Sequence, residues 1–269
     1  MLGSSRTSLR LLDERVHDAY GQPGLAQAGT DILAITDLLT REKSLRATLA
    51  DSGRGQADRR RILAALVADK VSPLALDLAS EAVGLRWSSG SDLLDALEVA
   101  GASCVLAASE ESGEVDRVEE ELFRFGRIVD ANGDLQLTLS GTGLSGPGKR
   151  ALVDDLLSGK ADPATIELTA FVVTHLRGRR IDEALSQLVE LAAKRRGRIS
   201  AVVKVASPLT EDQEERLAAA LKNVYGRDVQ LSIDIDPDVL GGVSVQVGDE
   251  IIDGTIAHRM NQARRRLAG

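Results

Sequence analysis

From Ser4 to about Arg196 the apolar residues recur at three- and four-residue spacing, with breaks only at turn residues. Leu25, Ala28, Ile32, Ile35 and Leu39 line one face of a helix entered after Gly21-Gln22-Pro23, and a face of that width must bury against other helices. Ile62, Leu63, Leu66 and Val67 mark another helix. The next starts at Ser72-Pro73, where the serine caps free amides and proline fits the first helical position; Trp87 ends it. After Gly197 the period changes to strict alternation. Residues 199–206 read as a strand, and Thr210 with Gln213 forms a capping box for a helix whose buried face is Leu217, Leu221 and Val224, stopping at Gly226. A second strand puts Val229, Leu231, Ile233 and Ile235 on one side. Asp236-Pro237-Asp238 turns the chain, and Val243, Val245 and Val247 alternate in a third strand. Gly248-Asp249 makes a tight turn into Ile251-Ile252, and a last helix runs from about Thr255 to Leu267. The pattern predicts an α+β chain, helical bundles followed by a small α/β domain.

The helical part repeats itself. Sliding the sequence by 90 positions sets residues 45–83 on 135–173 without a gap, and ten positions are then identical: Leu45 with Leu135, Thr48 with Thr138, Leu49 with Leu139, Gly53 with Gly143, Arg60 with Arg150, Leu66 with Leu156, Lys70 with Lys160, Pro73 with Pro163, Leu78 with Leu168 and Val83 with Val173. The same shift gives Asp162-Pro163 the role of Ser72-Pro73 and puts Leu122, Phe125 and Ile128 under Ile32, Ile35 and Leu38. The expected organisation is a first bundle over 1–110 and a second over 111–197 that shares helix 92–110, then a small α/β domain over 198–269.

At 269 residues the chain is long enough for two or three cores without covalent staples. Its 33 Lys and Arg against 41 Asp and Glu give a net charge of -8, which disfavours a protein that lives on phosphate neutralisation, so no nucleic-acid partner is expected. Aromatic residues are 2% of the chain, leaving few rings to stack on sugars or bases. The single cysteine, Cys104, excludes an internal disulfide and a cysteine zinc site and suits a reducing compartment. His17, His175 and His258 are far apart, with no second His or Cys at ligand spacing, so no metal or cofactor is expected. The longest apolar stretch, Leu93 to Ala108, is interrupted by Asp95 and Glu98, and no basic-then-apolar leader opens the chain, so a soluble, non-secreted protein is expected.

Gly143-Leu144-Ser145-Gly146-Pro147-Gly148-Lys149 has the glycine and lysine spacing of a phosphate-binding loop, and Gly141 to Gly146 fits the dinucleotide glycine pattern. Against this, Arg150 stands where the loop needs the magnesium-binding hydroxyl, and Pro147 removes an amide. The repeat counterpart, Asp51 to Asp58, has no such pattern. The basic runs Lys194-Arg195-Arg196 and Arg264-Arg265-Arg266 suit helix C-termini, and Glu119-Glu120-Glu121 reads as a solvated face. No nucleophile, base and orienter assemble, so no catalytic residues are assigned.

The strings Ala201 to Thr210, including Pro208, then Asp236-Pro237-Asp238-Val239-Leu240-Gly241-Gly242 and Gly248-Asp249-Glu250-Ile251-Ile252-Asp253-Gly254-Thr255 resemble the C-terminal signature of the ATP synthase delta subunit family. Its mitochondrial counterpart is the oligomycin sensitivity-conferring protein. Gly241-Gly242 suits a bend into the third strand, and Asp253 suits a cap on the final helix. Ala102 to Arg196 resembles that family's N-terminal six-helix bundle, and the extra first ~100 residues resemble the long, duplicated actinobacterial form, some of which is fused behind the membrane-anchored b subunit. The resemblance implies a non-catalytic stator of the proton-translocating ATP synthase, peripheral on the cytoplasmic face of the bacterial plasma membrane and reaching the membrane only through the stalk. It implies two partners: N-terminal helices of the alpha subunit, held by the first and fifth helices of a bundle, and the b subunit, held by the C-terminal domain. Those helices correspond to about 4–20 and 73–87, and to 93–110 and 163–177. Candidate groove residues are Leu12, Val16, Leu78 and Ala82 in the first bundle, and Val105, Ile166, Ala170 and Val173 in the second. Each equally suits plain core packing, because core and groove faces share one period. Two alternatives stand beside the stator: a nucleotide-binding enzyme using the loop at Lys149, and a helical adaptor of another complex.

Overall fold

A computed structural model describes residues 3–196, 198–225, 228–236, 241–247 and 250–253. The chain divides into two compact units, Met1–Arg195 and Arg196–Gly269.

The first unit is helical. Six helices come first: α1 (Ser4–Asp18), α2 (Leu25–Arg41), α3 (Lys43–Ala50), α4 (Gln56–Val67), α5 (Pro73–Gly84) and α6 (Gly90–Glu111). Five follow: α7 (Val115–Ala131), α8 (Gly133–Ser140), α9 (Gly146–Leu157), α10 (Pro163–Thr174) and α11 (Ile181–Arg196). Helices α2 to α5 recur as α7 to α10 with every start and every end displaced by the same 90 residues that align the sequence. The caps recur too. Ser72 Oγ accepts the Ala75 N–H at 3.4 Å, and Asp162 Oδ1 accepts that of Ala164 at 2.8 Å. Helix α5 stops at Gly84, three residues before the expected Trp87. The indole of Trp87 turns back and donates to the Ala82 carbonyl at 2.7 Å, so the ring closes the bundle end instead of extending the helix.

Two apolar clusters fill this unit. One gathers α1 to α5 around Leu12, Ile32, Leu49, Leu78 and Leu97, and the other gathers α7 to α11 around Leu122, Phe125, Leu168 and Leu185. Helix α6 serves both: Leu93, Leu97, Ala100 and Cys104 belong to the first, Ala102, Val105 and Leu106 to the second. A helix apolar on nearly all sides is what such a position requires. Ile128, the repeat counterpart of half-buried Leu38, is exposed.

In the second unit β1 (Arg198–Val205) is followed by α12 (Glu211–Tyr225), β2 (Asp228–Ile235), β3 (Val243–Val247) and β4 (Glu250–Asp253), in sheet order β2-β1-β3-β4. β1 and β2 are parallel, which demands a crossover, and α12 supplies it. The other two pairings are antiparallel. The capping box is complete: Thr210 N–H donates to Gln213 Oε1 at 2.9 Å, and Gln213 N–H to Thr210 Oγ1 at 3.4 Å. Ala201, Val203, Val205, Leu221 and Val245 form the core. Val224 is 68% exposed rather than buried, because one turn beyond Leu221 falls on Tyr225, which packs against the core in its place. Ile235, at the end of β2, is also exposed. Gly241 and Gly242 both hold positive φ, 69° and 84°, the left-handed backbone that glycine alone adopts freely. Pro208 is exposed in the link from β1 to α12. Asp253 ends β4, while Pro237, Gly248, Asp249, the helix expected from Thr255 and the cap Asp253 would give it fall outside the described residues or side chains.

Candidate partner-binding site

Helices α2 and α6 cross in close contact. A Cβ on Gly29 would stand 2.8 Å from the Gly101 carbonyl oxygen and 2.8 Å from the Val105 nitrogen, and one on Gly101 would meet Leu33 at 2.9 Å. The two glycines therefore let the backbones touch, and Leu33 passes beyond its own bundle to pack with Ala102, Val105, Ala170 and Phe171. Beside this crossing, Ala26 and Thr30 of α2 face Val105, Pro163, Ala164 and Glu167 across a cavity of about 370 Å³.

Charged groups hold the same junction. His175 Nε2 lies 2.9 Å from Asp37 Oδ1, with the ring stacked on Phe171. Arg177 reaches Asp95 at 2.6 Å and Glu98 at 2.5 Å, and Arg179 reaches Glu98 at 2.8 Å. Arg177 is also the one non-glycine residue with positive φ among the described residues, at 49°.

The expected groove residues occupy the two interiors. Leu12, Val16, Leu78 and Ala82 come together in the first cluster, and Val105, Ala170 and Val173 in the second; Ile166 alone is half-buried. Between α1 and α5 the outward positions are others: Leu11, Arg15, Leu74 and Asp77, with Arg15 Nη2 3.3 Å from Asp77 Oδ2. They lie one position away from the buried stripe, the offset at which a helix passes from core to rim, and sequence periodicity alone ranks them as solvated.

A family model described as ATP synthase delta (OSCP) subunit matches residues 100–267. The chain is 43% identical over its full length to the ATP synthase subunit delta of Thermobifida fusca, covering all of that protein. It is 43% identical to that of Salinispora arenicola, over 98% of each chain, and 41% identical to that of Streptomyces griseus, over 100% of each. The chain belongs to the ATP synthase delta (OSCP) subunit family. A chain of the Toxoplasma gondii mitochondrial ATP synthase hexamer also aligns, at 20% identity and a TM-score of 0.30 over 64% of this chain and 98% of that one, too distant to carry an argument.

As a delta subunit the protein is a non-catalytic part of the ATP synthase peripheral stalk. It is a peripheral subunit, and among the described residues no helix is long and apolar enough to cross a membrane. The glycine motif fits this role. Ser145 is the N-cap of α9, its Oγ accepting the Gly148 N–H at 3.3 Å, and Gly146-Pro147-Gly148 is the first turn. Helix α8, not a strand, precedes it, so the loop lacks the strand that sets a phosphate cradle. Lys149 is the repeat counterpart of Arg59, a buried structural cation, and its own partial burial lowers its pKa.

Glu121 departs from the solvated-face expectation. Its Oε2 accepts the Asp162 N–H and the Thr165 hydroxyl, each at 2.7 Å, and its Oε1 pairs with Arg117 at 2.8 Å. Burial pushes its pKa up, but these donors outweigh burial and hold it below the usual carboxylate value. Ninety residues earlier Asp31 accepts the Ser72 N–H, also at 2.7 Å. One carboxylate in each half thus ties the second helix of the set to the start of the fifth.

Proposed function

We propose that the chain links the catalytic head to the stalk by holding an N-terminal helix of the alpha subunit in the groove between the first and fifth helices of a bundle, and the b subunit with residues 198–269. In this reading it works at the cytoplasmic face of the bacterial plasma membrane. Its three functional parts are bundles 1–110 and 111–197, sharing helix 92–110, and the α/β domain 198–269. The single observation that supports the groove is the open strip between α1 and α5, where Leu11 is 37% exposed beside the Arg15–Asp77 pair, a surface suited to an amphipathic helix.

The test is a pair of pull-downs. The helical unit, residues 1–195, should retain an alpha N-terminal peptide and not b, while residues 198–269 should retain b, with thermal melts showing both fragments folded. A folded helical unit that ignores the alpha peptide while 198–269 captures it reverses the assignment.

A further inference from the structure

We infer that the second bundle is filled in cis: α2 occupies the groove between α6 and α10, so the chain keeps one groove, between α1 and α5, for a helix from another subunit. This rests on the reading that the groove between a bundle's first and fifth helices takes a helix.

The second bundle shows what a filled groove looks like. Along α2, Gly29 lies against Val105 and Gly101, Leu33 lies against Gly101 and joins the apolar cluster that holds Ala170 and Phe171, and Asp37 meets His175, a contact every turn or so at i, i+4 and i+8. These partners belong to α6 and to the end of α10, the first and fifth helices of that bundle. The occupant is an amphipathic helix of this same chain, whose opposite face, through Ile32, Ile35 and Leu39, is sealed into the first bundle. It cannot leave without opening that core.

The 90-residue correspondence then locates the vacant site. Gly101 and Val105, buried under α2, correspond to Leu11 and Arg15, and both of these are exposed, as are Pro73 and Asp77 beside them on α5. None of the described helices of this unit lies over Leu11 and Arg15 as α2 lies over Gly101 and Val105. The chemistry there differs from that of the filled groove. With Leu11 in place of Gly101, a visiting helix cannot make backbone contact as Gly29 does and must rest on the leucine side chain. With Arg15 in place of Val105, it meets a cation only weakly held by Asp18 and Asp77, at 3.4 and 3.3 Å. The surface therefore fits an alpha N-terminal helix with an apolar stripe for Leu11 and Leu74 and a carboxylate for Arg15, and selects against a small-residue helix like α2.

The experiment uses the full chain and a synthetic peptide of the alpha subunit's N-terminal segment carrying a photo-crosslinker. Titration calorimetry should give one peptide per chain, with cross-links on α1 and α5. Leu11→Asp, at an exposed position, should weaken binding tenfold or more without lowering the melting temperature, while Ile166→Ala leaves it unchanged. Two peptides per chain, or cross-links on α6 and α10, overturn the inference. Absence of any peptide binding refutes the groove reading itself, so cis filling is measured separately. In a Cys104→Ser background, spin labels at Ala26→Cys and Ala164→Cys, on either side of the cavity, should report one narrow distance that the peptide does not change. A broad distribution, or a distance that lengthens with peptide, overturns the cis seating whatever the peptide does.

Discussion

Arg59 is the largest fully buried side chain among the described residues. It is 1% exposed, projecting from α4 into the bundle interior. Its Nη1 donates to the carbonyls of Val83 at 2.5 Å and Leu85 at 2.8 Å, and Nη2 to that of Gly84 at 3.0 Å; a longer bond of 3.4 Å reaches Leu49. The guanidinium thus collects the unpaired C-terminal carbonyls of α5 and one from α3, where the helix dipole also favours a cation. Burial lowers the guanidinium pKa, with the Asp51 charge opposing the shift, so desolvation offsets part of what the bonds supply. Charge-assisted bonds contribute ~1.5–3 kcal/mol each, and orphaning a buried carbonyl costs ~1–3 kcal/mol. After the recovered desolvation of the guanidinium, Arg59→Met should cost about 3–5 kcal/mol, the range for breaking a buried charged contact. At ~2–4 °C per kcal/mol for a unit of this size, the melting temperature falls by on the order of 6–20 °C, read by circular dichroism. Arg59→Lys should lose less, because the matching place in the second bundle holds Lys149. A methionine variant within ~0.5 kcal/mol of the wild type in urea unfolding would falsify this account.

Glu121→Gln should cost ~1–2 kcal/mol by weakening three charge-assisted bonds. Because the folded pKa is depressed, this contribution is complete above the ordinary value of 4.5 and lost as pH falls below it; urea midpoints should converge for the two proteins in acid, and parallel curves would contradict the assignment. Cys104 is fully buried and its thiol is pushed up to about 12, so a thiol reagent at neutral pH should label it only at the rate of unfolding. Rapid labelling of the native chain would place Cys104 at the surface. Gly29→Val should cost about 2–3 kcal/mol, since its Cβ meets the Val105 side chain at 2.7 Å and, where no rotamer change can help, the Gly101 oxygen and Val105 nitrogen of α6 at 2.8 Å; an unchanged melting curve would show that the crossing is looser than described.

The helices, their caps and the duplication were legible because periodicity, Ser-Pro and Asp-Pro starts and the constant offset are properties of local sequence. Leu49 and Leu139, or Val83 and Val173, read as equivalent and prove equally buried. The ends of the elements were harder, as α5 shows, since its last carbonyls, at Val83, Gly84 and Leu85, are taken by Arg59 of another helix. What escaped altogether was chemistry set by distant neighbours. Arg59 and Glu121 look like members of charged surface runs, and only the carbonyls and amides brought to them by other helices bury them. Gly29 and Gly101 carry no motif; their meaning lies in each other, 72 residues apart in sequence. The groove suffered from the same limit. Periodicity identifies the stripe of Leu12, Val16, Leu78 and Ala82, which is buried, while the exposed positions are their neighbours Leu11 and Asp77.

The offset also bears on how such a chain resists torque. A flexible linker between two bundles would let each follow its own partner, whereas α6 is a single helix of 22 residues embedded in both clusters. Bending the junction therefore means bending a helix or parting the Gly29–Gly101 crossing. The ion pairs at His175, Arg177 and Arg179 are largely shielded, with the Glu98 side chain 9% exposed, so desolvation offsets much of their attraction and they do not bear the load alone. Their place is angular: Asp37 lies on α2, and Asp95 and Glu98 lie on α6. A rotation of one bundle about the shared helix must stretch contacts on both. Arg177 accepts a left-handed backbone, at a cost of roughly 1–2 kcal/mol, to set its guanidinium between Asp95 and Glu98. That strained residue and the close backbone contact of Gly29 with Gly101 thus meet along the one helix that both clusters share.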